Sequence, residues 1–254
     1  MGFLFSRGPA ALGAGLALLI LASVLHKPLL GSPALEGDEP AGAPRATSLG
    51  EGWRAAAVLL GGFRPLAIDV LWLRADALFR QGRLWELATL FRGILALEPS
   101  NTAVREYASW HLAYNVALAE RDPERRFEWF VQGIRILEEG IELGLQERRL
   151  RTSGGRMFLD PSRGEVIPGF EAKVEAAFGR PPLRMAVTWL EEAVRGETER
   201  ARAHVFLLAA LEGLRFEAAE AGRLEAAARW RERKRSVLAE AKARFPEEDW
   251  RFAE

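Results

Sequence analysis

The sequence predicts an all-α protein. Three observations carry that reading. Apolar residues recur at three- and four-residue steps from Trp53 onward, with almost no strand-like alternation. Ala, Leu, Glu and Arg, all good helix formers, dominate those segments. Short punctuation separates them: Gly82-Arg83, Pro99-Ser100-Asn101 and Asp122-Pro123. Helices of about 15–20 residues with such short joints must fold back as antiparallel neighbours. The predicted architecture is a set of stacked helix hairpins forming a short α-solenoid, preceded by one N-terminal transmembrane helix.

Composition narrows the field. The chain has 254 residues, 49% hydrophobic and 28% charged, with zero formal net charge. These values belong to a folded protein and argue against a general nucleic-acid binder. With no cysteine, disulfides, thiolate metal sites and a Cys nucleophile are excluded.

The first element is Gly8–Leu25, eighteen uncharged residues between Arg7 and His26-Lys27. As a helix it would rise roughly 27 Å, near the ~30 Å hydrocarbon core of a bilayer. A signal peptide shares the pattern, but the small residues Ala41-Gly42-Ala43 lie well past the apolar run. Residues 1–30 are therefore expected to be a membrane anchor, with a signal peptide as the alternative. The short basic N-tail favours a cytoplasmic start, which places the larger domain outside. Residues 31–52, rich in Gly, Pro, Ala and acids, read as a flexible linker.

Helices are expected at 53–60, 65–81, 84–97, 102–120, 123–144, 171–178, 182–195, 198–220 and 223–244, forming one helical domain over 53–254. The stretch GGFRPLAIDVLWLRA (61–75) is too charged for a membrane span. Arg64, Asp69 and Arg74 would each cost about 2.5–3.5 kcal/mol at the bilayer centre. Asp122 is a helix cap with Pro123 at the first helical position. Residues 151–182 break the helical rhythm. Within them MFLDPSRGEVI reads as two short apolar runs around a turn, a small strand hairpin inserted in the array.

Residues 71–99 carry a spaced set: Ala75 and Leu78, Gly82, Leu84, Phe91 and Pro99. This pattern resembles the tetratricopeptide repeat, with Ala75 as the small residue of the first helix, Gly82 as the turn and Pro99 as the terminator. Leu87 stands where the family has a second small residue. Weaker units are expected at 102–143 and 198–246. In the latter, Gly222-Arg223-Leu224 repeats Gly82-Arg83-Leu84, and Gly222 to Pro246 spans 24 residues against 17 for Gly82 to Pro99. The layout over Leu60–Gly144 is similar to uncharacterised bacterial membrane-anchored tetratricopeptide-like proteins. That resemblance implies a bacterial envelope protein of unknown biochemical role, and with the anchor and its basic N-tail the expectation is a single-pass protein of the inner membrane with its helical domain outside the cytoplasm. It brings no catalytic residue.

Site residues follow from the repeat framing. Asp69, Trp72, Asp76, Phe79 and Arg80 would line the inner face of one first helix, and Glu106, Trp110 and Tyr114 that of the next. Aromatic anchors among charges suit a partner peptide or protein. The adjacent carboxylates Glu138-Glu139, Glu191-Glu192 and Glu247-Glu248 diverge on a helix and do not form acid/base pairs. His111 and Asn115 share a helical face, and His204 lies in apolar context. Arg223–Arg244 holds eight Lys/Arg and three Glu, read as a charged outer helix. No nucleotide loop, GxSxG or metal-ligand spacing occurs. The expected function is a membrane-anchored scaffold without enzymatic activity or cofactor. It would touch the bilayer through residues 8–25 and bind another protein through a concave groove. The alternative is an accessory subunit of an envelope transport or secretion complex acting through its membrane helix. A third reading gives the 151–182 insertion a catalytic role.

Overall fold

The computed structural model describes residues 64–160, 162–195 and 201–253. The expected anchor at 8–25, the linker and the helix at 53–60 lie outside them. Among the described residues no strand occurs and no helix is long and apolar enough to cross a membrane. The helices divide into two compact units between Pro99 and Ser100.

The first unit contains α1 (Arg64–Arg80) and α2 (Leu84–Leu97). Pro65 sits in the first turn of α1, where its missing N–H costs nothing. The chain reverses at Gly82, whose φ of 69° is open to glycine at little cost. Gly82 N–H donates to Phe79 O and Arg83 N–H to Leu78 O, both at 3.0 Å. This pair of bonds satisfies carbonyls that the helix end would orphan. α2 buries Leu84, Leu87, Ala88, Leu90, Phe91, Ile94, Leu95 and Leu97. Trp72 of α1 leans on Phe91 with ring centroids 5.7 Å apart.

The second unit begins with α3 (Thr102–Trp110), which runs on through a π-helical segment, His111–Val116, into Ala117–Ala119. Asn101 Oδ1 caps α3, accepting from Ala103 N at 3.0 Å and Val104 N at 3.2 Å. α4 (Pro123–Glu142) starts at the predicted cap, with Asp122 Oδ1 accepting from Glu124 N at 2.9 Å. α5 (Glu147–Leu159), α6 (Arg163–Val166), α7 (Phe170–Phe178), α8 (Pro182–Val194), α9 (Arg202–Glu220) and α10 (Leu224–Arg244) follow. α9 and α10 are joined by Gly222-Arg223, the same turn as Gly82-Arg83. Gly222 has φ 68°, and the same two bonds form, to Ala219 O and Ala218 O. The recurrence of Gly-Arg-Leu in sequence is thus a recurrence in backbone geometry.

Packing within this unit is regular. α3 pairs with α4, α5 with α8, and α9 with α10. Each later hairpin lays its first helix on the second helix of the one before, α5 on α4 and α9 on α8. First helices also touch, α3 with α5 and α5 with α9. One shared apolar core results, running from Phe130 and Leu137 through Trp189 and Leu190 to Leu211 and Phe245.

The expected strand hairpin at MFLDPSRGEVI is corrected here. Met157-Phe158-Leu159 is the last turn of α5, and Arg163–Val166 is a helical turn. The sequence RTSGGRMFL, expected to be irregular, lies within α5. Its glycines are not breakers. A Cβ on Gly154 would sit 2.2 Å from Trp189 Cζ3, and one on Gly155 2.5 Å from Leu190 Cγ. Each glycine costs a helix about 1 kcal/mol relative to alanine. That cost is offset because their absent side chains admit Trp189 and Leu190, both buried. The excursion proper, between α5 and α8, carries α6 and α7. Its Ile167, Phe170 and Val174 are buried, and Phe170 meets Phe130 of α4 edge-on at 5.0 Å.

Gly154→Ala is expected to lower unfolding free energy by about 3 kcal/mol, the upper range for overpacking. Gly164→Ala, at a position where a Cβ meets nothing within 4 Å, should stay within about 0.5 kcal/mol. Urea-denaturation midpoints of the two variants check the contrast.

Candidate functional site

The sequence-derived groove residues occupy two separate helix faces. On α1, Asp69, Asp76 and Arg80 are exposed, and Asp76 pairs with Arg80. Trp72 and Phe79 are half-buried at the flank. The outermost line of α1 adds two leucines absent from the expected set, Leu66 and Leu73, 54% and 72% exposed. Leu66, Asp69, Leu73, Asp76 and Arg80 follow one another at steps of three and four, so they share a stripe.

On α3 the three expected residues have different surroundings. Glu106 reaches into α5, accepting from Arg149 Nε and Ser153 Oγ, both at 2.6 Å. It ties the first hairpin of this unit to the second. Trp110 is 40% exposed and stacks on Tyr114 with centroids 5.6 Å apart. Tyr114 is half-buried, with the guanidinium carbon of Arg163 from the excursion lying 3.3 Å from its ring centroid.

Arg163 is the residue that sequence reasoning missed. It is 2% exposed, and Phe130 stands 5.6 Å from its guanidinium carbon. Its seat is made by the π-helical segment of α3. There Ala117 N–H donates to Leu112 O and Tyr114 O, passing over Ala113 O. Arg163 Nη1 donates to that passed-over carbonyl. A π turn leaves a carbonyl without its helical donor, and such turns often mark functional positions. Arg163 Nε and Nη2 have no hydrogen-bond partner among the described residues.

Asp160 stands beside this arginine. Its Oδ1 accepts from Ser162 N at 3.0 Å and Ser162 Oγ at 2.7 Å, and the Tyr114 hydroxyl also bonds to it. Burial pushes the Asp160 carboxyl up, but these bonds and the Arg163 charge outweigh it and hold it below the usual carboxylate range. Burial pushes the Tyr114 phenol above its ordinary value, so it stays a donor. Further out, Arg126 Nη1 donates to Val166 O at 2.9 Å and its Nε to Glu120 O at 2.8 Å. Lys173 pairs with Glu124 at 2.8 Å. The excursion is thus fastened to the α3–α4 hairpin by polar bonds around an aromatic centre.

The remaining candidates lie elsewhere. His111 is buried in the π segment, its ring 5.6 Å from Tyr107, and Asn115 is half-buried. His204 of α9 is fully buried, edge-on to Phe245 at 5.4 Å. In the basic helix α10, Arg233 pairs with Glu191 at 2.9 Å, Lys234 with Glu212 at 3.3 Å and Arg235 with Glu232 at 3.3 Å. Those pairs neutralise much of its charge. Among the described residues no group of three or more His, Asp or Glu side chains is placed to hold a metal ion. No family model, no curated protein and no solved structure matches the chain.

His204 gives a pH signature. Burial holds its imidazole below the ordinary value of 6.5, with Arg244 adding to the effect and Glu240 opposing it. Glu240 stands 3.8 Å from Nε2, and its opposing pull is weaker than the burial. The unfolded chain binds a proton near pH 6.5 while the folded chain does not. Stability is therefore full above about pH 6.5 and falls as pH drops through that value toward the folded pKa. Urea midpoints measured from neutral to mildly acid pH should decline for the wild type, and more steeply than for His204→Phe.

Proposed function

We propose that the protein is a membrane-anchored, tetratricopeptide-like scaffold that holds another protein or a segment of one on exposed helix faces. The observation that carries this reading is the outward stripe of α1. Two leucines stand in water between carboxylates, Leu66 and Leu73 beside Asp69 and Asp76. A face that only met solvent would gain nothing from those leucines, whereas apolar anchors flanked by charges suit a partner that is itself apolar and basic. Trp110, 40% exposed on α3, offers a second anchor of the type enriched at binding hot spots.

Two further features support a repeat scaffold. The Gly-Arg-Leu turn recurs with the same bonds in two hairpins. Each hairpin of the second unit stacks on its predecessor in one repeated way. The uncharged run Gly8–Leu25 supports an anchor in the bacterial inner membrane, and the short basic tail before it supports helices on the extracytoplasmic side.

A photo-crosslinking residue at Leu73 in the native membrane form should capture a discrete partner. Reversing charge with Asp69→Lys and Asp76→Lys should abolish that adduct while the protein stays folded by circular dichroism. An undiminished adduct contradicts the proposed face. Exchanging Gly8–Leu25 for an unrelated span should leave the adduct in place. Its loss would favour action through the membrane helix.

A further inference from the structure

We propose that the Nε–Nη2 edge of Arg163 binds an oxyanion, a carboxylate or a phosphate, supplied from outside the fold. A guanidinium keeps its charge at any physiological pH, so it cannot escape burial by losing a proton. Arg163 is nonetheless 2% exposed. Nη1 is occupied by Ala113 O. The rings of Tyr114 and Phe130 receive the face of the cation, at 3.3 and 5.6 Å from its carbon. The Tyr114 hydroxyl also bonds to the guanidinium. Nε and Nη2 point their N–H groups in parallel along one side of the guanidinium, the pair that matches two oxygens of a carboxylate or phosphate. In this structure that pair has no partner among the described residues.

The nearest carboxylate does not fill the role. Asp160 is drawn to Arg163 by charge, but its Oδ1 accepts from Ser162, its carboxyl bonds Tyr114, and it takes no hydrogen bond from Arg163 Nε or Nη2. Arg126 adds a second cation close by, spent on the backbone carbonyls of Val166 and Glu120. The surroundings therefore carry buried positive charge whose best-directed donors are unused, and leaving such donors unpaired is costly. Ser162 and Gly164 on either side of Arg163 are exposed. Because Arg163 itself is 2% exposed, an anion must displace part of that turn to reach the edge, and binding should be saturable. This inference does not depend on the α1 face.

The test uses the full chain in a non-ionic detergent at constant ionic strength, with thermal unfolding followed as inorganic phosphate or acetate is added. A third arm adds a peptide with a free C-terminal carboxylate against its amidated form. A saturable rise in Tm is expected. Arg163→Lys, which keeps charge without the paired donors, and Arg163→Gln should weaken the response at least about tenfold. Phosphate alone responding identifies a small-anion site, and the carboxylate peptide exceeding acetate identifies a polypeptide ligand. Either supports the proposal. Equal responses of wild type and Arg163→Lys, or none, would overturn it. Should both variants unfold, the Arg163 Nε–Hε resonance of the wild type decides. Movement with added anion supports the site, and an unmoved resonance under saturating phosphate and acetate refutes it.

Discussion

The approach of Gly154 and Gly155 to Trp189 and Leu190 sets the position of everything after α5. Two helices that meet through hydrogen atoms lie closer than two that meet through methyl groups, and every partner further along is displaced accordingly. The same device recurs at the other crossings. A Cβ on Gly133 of α4 would lie 2.7 Å from Ser109 O of α3, one on Gly140 2.6 Å from Leu150 of α5, and one on Gly213 of α9 2.9 Å from Leu183 of α8. These glycines give up helix propensity in return for contact area. At Gly133 the neighbours admitted are the Ser109 carbonyl and Ala113; at the others they include large apolar side chains, whose burial stabilises by about 1.5–3 kcal/mol each.

The excursion between α5 and α8 depends on that spacing. With α5 drawn tight to α8, Phe158 at its end meets Trp189 at 6.0 Å and Phe130 edge-on at 5.5 Å. Just past α5, Asp160 bonds the Tyr114 hydroxyl and Arg163 lands on the π segment of α3. The π turn and the arginine complete one another. The turn releases Ala113 O, and Arg163 supplies the donor that a buried carbonyl requires. Glu106 performs the same binding of hairpin to hairpin at the other end of α3 through Arg149 and Ser153.

Much of this was legible in local signals. The helix start at Pro123 was announced by an acidic cap followed by proline, and the ends at Gly82 and Gly222 by glycine. These are properties of a few neighbouring residues, so a single chain shows them. The central helix α5 was not legible, because Gly-Gly in RTSGGRMFL has the same local appearance whether it ends a helix or clears space for a tryptophan 35 positions away. Arg163 was hidden more deeply. Its acceptor is a main-chain carbonyl 50 residues distant, freed by a backbone irregularity that no side chain advertises. Of the groove residues, Trp110 was read as accessible, and it is 40% exposed. Glu106 and Tyr114 serve contacts within the unit that only the folded arrangement brings together.

The fold of the second unit rests on hairpins that stack through small-residue crossings in the order described. The most direct measurement is the nuclear Overhauser effect between the Gly154 α-protons and the Trp189 ring. Strong cross-peaks to the six-membered ring, with a ring-current shift of the Gly154 protons, are predicted by the contact at this crossing. Gly154 protons at unperturbed shifts with no cross-peak to Trp189 would contradict the account.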